Sequence, residues 1–257
     1  MFAALAAIAL GAVVGASTPW LVHRLAVESG SPPRSACAVC TRPFPRGLPG
    51  WIRPDARCPG CGARLGSRTG YLAALDAAVF GPLTAALGAA VFGLLTAALG
   101  TDTGIDPALP AVLAVAAVGL PLAFVDLTCL RLPDPLVALA AVAALLGLTG
   151  AALVLGTPDP LVRALLAALA SGVAYVLLAL LPGARLGFGD VKLAAVLGLP
   201  LGWYGWPTLL LGLVLPHLIN GTVALALLLT RRASRGTPLP FGPALLTGAL
   251  LAILFEG

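Results

Sequence analysis

Charge is what this sequence has least of. Asp, Glu, Lys and Arg together make up 10% of the 257 residues, where a soluble globular domain carries about 25%. Hydrophobic residues supply 60% and the mean hydropathy is +1.03, which excludes an ordinary water-soluble domain. Histidine is nearly missing as well. His23 and His217 stand isolated in the sequence, so neither a Ser/His relay nor a metal–histidine cluster is available. No glycine-rich phosphate loop or Rossmann-like unit is present. Alternating ten-residue strands, the signature of a membrane barrel, are also absent. Finally, the chain does not begin with a basic n-region. Met1-Phe2-Ala3-Ala4 leads directly into the first apolar run, so that run reads as a retained span rather than a secretory signal.

What remains is a series of apolar runs near 3–22, 72–99, 110–127, 135–156, 161–182, 191–206, 208–230 and 242–256. Each approaches the roughly 20 residues that one bilayer crossing needs. Because lipid offers backbone groups no hydrogen bonds, these runs must be helices. The expected fold class is therefore an all-α integral membrane protein with about eight transmembrane helices. The Ala/Leu bias needs no repeat architecture, since membrane burial accounts for it.

The basic residues give the chain its direction. Of 15 Lys and Arg, Arg24, Arg34, Arg42, Arg46, Arg53, Arg57, Arg64 and Arg68 fall between the first two runs, the pattern of a cytoplasmic loop. With the N-terminus outside, the loops at 23–71, 128–134, 183–190 and 231–241 become cytoplasmic. They hold Arg131, Arg185, Arg231, Arg232 and Arg235 as well, and Lys192 starts the next span. Asp102, Asp106 and Asp159 fall outside, and Arg163 is the one exception. Trp203, Tyr204 and Trp206 sit at an outer turn, as interfacial aromatic residues do. The net charge of +5 thus reads as topology and contact with the lipid bilayer, not as nucleic-acid binding.

Residues 24–70 break from the apolar background. Cys37-Ala38-Val39-Cys40 and Cys58-Pro59-Gly60-Cys61 form two C-x2-C pairs that fit a four-thiolate zinc template. A segment this short and poor in large apolar side chains needs a staple, and a reducing cytoplasm disfavours disulfides. Cys37, Cys40, Cys58 and Cys61 are therefore expected to hold structural zinc, with no open position for catalysis. Cys129 reads as an ordinary interfacial residue.

A carboxylate within a span costs about 2.5–3.5 kcal/mol on insertion scales and is a functional candidate by default. Asp76, Asp126, Asp134 and Asp190 lie in or beside spans on the cytoplasmic side. Asp126 closes the third run and Asp190 opens the sixth, which puts both at one depth. Two close carboxylates share a proton near neutral pH, the condition for acid/base hydrolysis of a peptide. Plainer roles stand beside this one: Asp190 as the N-cap of the sixth helix, Asp134 before Pro135 as the N-cap of the fourth, and Lys192 reaching to headgroups. Gly187 and Gly189 would let the backbone bend beside the site.

Asp126-Leu127-Thr128-Cys129-Leu130-Arg131-Leu132-Pro133-Asp134 resembles the first aspartate motif of the type IV prepilin leader peptidases. Gly187-Phe188-Gly189-Asp190-Val191-Lys192-Leu193 resembles their G-x-G-D motif, and Leu239-Pro240-Phe241-Gly242-Pro243 is similar to the motif before their last helix. The resemblance implies an aspartyl endopeptidase with Asp126 and Asp190 as the catalytic pair. It would remove the short basic leader of prepilin or pseudopilin precursors at the cytoplasmic face of the bacterial inner membrane. Gly187, Gly189, Lys192 and Asp134 would support the site. The division it suggests is 1–23, first span; 24–70, four-cysteine zinc module; 71–109, second span and outer loop; 110–257, six-helix peptidase domain. Many members also methylate the new N-terminus with S-adenosylmethionine. Here Gly15-Ala16-Ser17-Thr18-Pro19 replaces their usual run and Asp76 stands near their usual Glu, which leaves methylation open. A multi-pass transporter, or a non-catalytic membrane scaffold with a zinc module, is the alternative reading.

Overall fold

The computed structural model describes residues 2–27, 31–47, 50–55, 57–63, 65, 77–101, 104–182, 186–234 and 236–256. Arg64, Arg68, Asp76, Asp102, Arg185 and Arg235 lie outside the described residues. Among the described residues eight helices follow one another, as the apolar runs require: α1 (Phe2–Leu25), α2 (Ala77–Ala98), α3 (Leu109–Cys129), α4 (Asp134–Leu155), α5 (Asp159–Ala179), α6 (Phe188–Tyr204), α7 (Trp206–Leu229) and α8 (Gly242–Glu256). Among the described residues the strands are β1 (Gly100–Thr101) and β2 (Gly104–Ile105), an antiparallel pair between α2 and α3.

Six of the helices are long and apolar enough to cross a membrane, and the chain is a multi-pass membrane protein. The other two, α6 with 17 residues and α8 with 15, reach about 25 and 22 Å at 1.5 Å per residue. Both fall short of the roughly 30 Å hydrocarbon layer.

The chain forms two compact units, one of residues Met1–Ala97 and Gly119–Arg131, the other of Ala98–Val118 and Leu132–Gly257. In the first, α1 and α2 meet through glycines. A Cβ on Gly11 would lie 2.3 Å from the Gly88 carbonyl oxygen, one on Gly15 2.0 Å from that of Thr84, and one on Gly88 2.1 Å from that of Gly11. Helices in lipid associate by such close packing, because no hydrophobic effect drives them together. The unusual Gly15–Pro19 stretch belongs to this buried part of α1: Ser17 and Thr18 donate to the Val13 and Val14 carbonyls one turn back.

In the second unit α6 packs against α5 by the same device, with Gly198 and Gly202 seated on the backbone and small side chains of Ala164, Ala167, Ala168 and Ser171. Arg163, the exception to the charge asymmetry, donates to the Gly202 carbonyl at 2.7 Å and to that of Trp203. It caps the C-terminus of α6, where free carbonyls and the helix dipole favour a cation. The aromatic cluster differs from expectation for a similar reason. Trp203 is buried and the Tyr204 hydroxyl donates to Asp106 at 3.0 Å, which leaves Trp206 as the exposed aromatic ring.

Because the α1–α2 contact has backbone on both sides, it has no side chain that can swing away. Gly15→Leu is expected to lower stability in detergent by about 1–3 kcal/mol or prevent assembly. Gly81→Ala, where a Cβ meets nothing within 4 Å, should leave the melting temperature unchanged. Equal melting of the two variants would show that this contact is not tight.

Candidate active site and metal centre

Asp126 lies in the last turn of α3 and is 4% exposed. The turn is closed locally: Leu130 N–H donates to the Asp126 carbonyl, Thr128 to that of Phe124, and Cys129 to that of Val125. Leu130 then takes a left-handed φ of 54°, which ends the helix. The Arg131 guanidinium that follows donates to the Val27 carbonyl.

Asp190 belongs to the second unit. Contrary to the N-cap expectation, α6 begins at Phe188, so Asp190 is its third residue and Gly187 the N-cap. From there the carboxylate reaches back and accepts the Gly187 N–H at 3.1 Å. Gly187 has an ordinary φ of −72°, so bending does not call for glycine. Space does: a Cβ there would lie 3.2 Å from the Asp190 carboxylate, and one on Gly189 3.1 Å from Leu132. Both glycines keep the first turn of α6 clear.

Asp134 differs from expectation too. It is the first residue of α4 with Pro133 at the N-cap, and no side chain caps the helix. Its carboxylate instead takes the Lys192 ammonium at 2.8 Å, so Lys192 ties the first turn of α6 to that of α4 rather than reaching to headgroups. Tyr175 of α5, fully buried, lies within electrostatic range of Asp190. The sequence reading missed it, since a lone Tyr in an apolar run carries no local signal.

The four cysteines come together as their spacing demands. Two turns of one design carry them. Thr41 N–H donates to the Cys37 carbonyl and Gly62 N–H to that of Cys58, while Val39 and Gly60 N–H groups point at the Cys37 and Cys58 sulfurs. Thr41 and Gly62, each following the second cysteine of its pair, share a left-handed φ of 57° and 69°. The four sulfurs lie within 4.8 Å of one another, with Cys37–Cys61 at 3.9 Å and Cys40–Cys58 at 3.7 Å. A tetrahedron with Zn–S bonds of about 2.3 Å has edges of about 3.8 Å, so the donor set fits zinc. Burial pushes the Cys58 thiol up, but N–H donors from Cys61 and Gly60 outweigh it and bring its pKa down to about 6. At Cys61 the Ala63 N–H pulls downward, yet lost hydration and the neighbouring sulfurs push it up to about 11. The cluster thus already carries thiolate at neutral pH, and metal must displace the remaining protons.

This metal centre is joined to the end of α1. Trp20 is fully buried with Phe44, Cys37, Cys58 and Leu65, and its indole N–H donates to the Gly50 carbonyl at 3.0 Å. Arg24 stacks on Trp51 at 3.7 Å and donates to the carbonyls of Gly50 and Arg34. These contacts tie the four-cysteine segment to the last turns of α1.

The chain thus combines four converging cysteine sulfurs with a buried aspartate at the end of α3 and a second aspartate in a glycine-flanked helix start. Comparison with known proteins makes the assignment. The profile of the type IV leader peptidase family matches residues 113–230. A prepilin leader peptidase/N-methyltransferase of Aeromonas salmonicida is 32% identical over 229 residues, spanning 87% of this chain and 72% of the relative. Its counterpart in Aeromonas hydrophila matches equally well, and that of Pseudomonas aeruginosa is 40% identical over 70 residues, 27% of this chain and 23% of the relative. No solved structure matches. The chain belongs to the type IV leader peptidase family and is a peptidase.

The purified protein is expected to carry one zinc per chain. Cys58→Ser should lose it and, because Trp20 packs against Cys58, shift tryptophan emission to the red. Zinc affinity should fall as pH drops from about 8 to 6, as protons compete for thiolate. Full metal content in the Cys58→Ser protein would show that the four sulfurs do not act as one site.

Proposed function

We propose that the chain is an aspartyl endopeptidase of the bacterial inner membrane, in which Asp126 and Asp190 share a proton and activate water. The observation that carries this reading is the burial of Asp126 inside a membrane-spanning helix, where an unused carboxylate would be costly. Its substrates are prepilin-like or pseudopilin precursors, supported by the names of the relatives. Cleavage occurs at the cytoplasmic face, with the zinc module on the same side, as the asymmetry of Lys and Arg favours.

The helix positions support one division of roles. Asp190, in the first turn of α6 and holding the Gly187 N–H, sits where a helix favours negative charge; Asp126, buried in the last turn of α3, sits where a helix disfavours it. In this reading the shared proton rests on Asp126 in the resting pair. Asp190 takes the proton of the attacking water while Asp126 protonates the scissile carbonyl oxygen; as the tetrahedral diol collapses, Asp190 passes its proton to the leaving amine and Asp126 recovers one from the diol hydroxyl, which restores the pair. The two carboxyls titrate as one unit, so a pH–rate profile reports the pair. The Lys192–Asp134 ion pair holds the start of α6 in place.

For N-methylation with S-adenosylmethionine the support is narrower, namely the relatives' names. Labelled methyl transfer to a cleaved pilin is the test.

Cleavage of a leader peptide fused to its apolar helix, measured in detergent, should be lost by more than about a thousandfold in Asp126→Asn and in Asp190→Asn. These isosteric changes remove the titrating proton and keep the fold. Lys192→Ala and Asp134→Ala, at a half-exposed pair, should cost less than about tenfold. Retained cleavage in either Asn variant would end the paired-aspartate mechanism and move the transporter and scaffold readings forward.

A further inference from the structure

Lys192 is the single lysine among the 15 basic residues, and its ammonium rests on two groups at once. Asp134 Oδ1 of α4 lies 2.8 Å away, and the ring of Phe188, one turn back on α6, has its centroid at 5.3 Å. A carboxylate and an aromatic face are two surfaces that attract a cation by independent means, one by charge and the other by the ring quadrupole. All three residues belong to the second unit. Together Asp134 and Phe188 make a seat for a cationic side chain, and an internal cation occupies it.

The seat is open and its occupant is loosely held. The Asp134 side chain is 71% exposed and Phe188 69% exposed. Asp134 does not cap its own helix, so its carboxylate is not committed to α4. Lysine brings a compact charge to one carboxylate oxygen, where arginine would grip both, and an exposed pair of this kind contributes little to stability. A second cation can therefore take the place of the first at small cost.

Its position gives the seat a use. Phe188 and Lys192 stand two residues before and two residues after Asp190 in the first turns of α6. A peptide bond that reaches the Asp190 carboxylate passes within about one helical turn of the seat.

We propose that Asp134 and Phe188 form a subsite for a lysine or arginine side chain of the substrate, a few residues from the cleaved bond, and that Lys192 is its placeholder, displaced when the substrate binds. The inference rests on the peptidase reading and adds the chemistry by which the enzyme selects its peptide. Exchange of one cation for another leaves Asp134 paired before and after binding. The rival is that the ion pair only ties α4 to α6, in which case its two members act as one part and their loss has one effect.

Kinetics in detergent separate the two, using a leader peptide fused to its apolar helix and versions in which each basic residue near the cleaved bond is replaced in turn by Met. Asp134→Asn is expected to raise KM about threefold to tenfold, the worth of one exposed charge-assisted contact, with kcat little changed. Lys192→Met, which empties the seat, should leave KM unchanged or lower it. Asp134→Glu, which keeps the charge, should restore KM. Replacing one particular basic residue of the substrate should raise KM for the wild type and abolish the difference between wild type and Asp134→Asn. Equal effects of Asp134→Asn and Lys192→Met, a loss confined to kcat, or an Asp134→Asn penalty that persists on every Met-substituted substrate overturns the proposal while leaving the peptidase intact. A wild-type enzyme that leaves the reporter uncut removes the peptidase reading together with this one.

Discussion

The controlling constraint on this molecule is the cost of an uncompensated charge or polar group where water is scarce. The few ionisable side chains beside helices are accordingly committed. Arg163 is taken up by the carbonyls that end α6, Arg24 by the carbonyls of the metal module and the face of Trp51, and Asp106 by the Tyr204 hydroxyl. Lys192 and Asp134 neutralise each other. A cation held by carbonyl dipoles needs no carboxylate partner, which is how a chain with so little negative charge can bury arginine. It also explains why Arg163 could break the charge asymmetry. An arginine tied to a helix end is a structural part first and a topological signal second.

The second consequence concerns packing. With lipid on the outside, expulsion of apolar surface from water cannot draw helices together, and close approach of backbones takes over. That is why glycine recurs at four-residue intervals where helices touch, Gly11 and Gly15 on α1 and Gly198 and Gly202 on α6. The spacing was present in the sequence, but in a chain so rich in small residues it did not stand out from glycines that touch nothing, such as Gly81 and Gly150.

What could be read in advance was whatever the chain encodes locally. The C-x2-C pairs specify their turns, and the structure supplies four converging sulfurs. Apolar run length specifies helices, and eight are present among the described residues. The aspartate motifs drew attention to Asp126, which is buried at the end of α3. What could not be read was whatever depends on a partner far along the chain. Asp134 looked like a cap because Pro135 followed it, and only the arrival of Lys192, 58 residues away, drew its carboxylate elsewhere. Asp190 looked like a helix boundary, because hydropathy alone cannot see that a Gly-Phe-Gly stretch has already entered the first turn. Trp203 and Tyr204 looked interfacial by type, while one is core and the other has an acid to meet.

Hydrolysis adds a requirement that a membrane protein meets with difficulty, since water is itself a reactant. Helices of full span would seal the hydrocarbon layer, and α4, α5 and α7 in the second unit are of that kind. By contrast α6 and α8 are each shorter than the bilayer, and Phe241, at the start of α8, packs beside the midpoint of α7. Phe241, a non-helical residue, therefore lies level with the middle of a helix long enough to cross a membrane, and irregular backbone at such a level is tolerated only where protein covers it or water reaches it. Asp190 sits in the first turn of the other short helix. Two helices shorter than a bilayer crossing, one of them starting with a carboxylate, thus set this unit apart from a bundle of full-length spans.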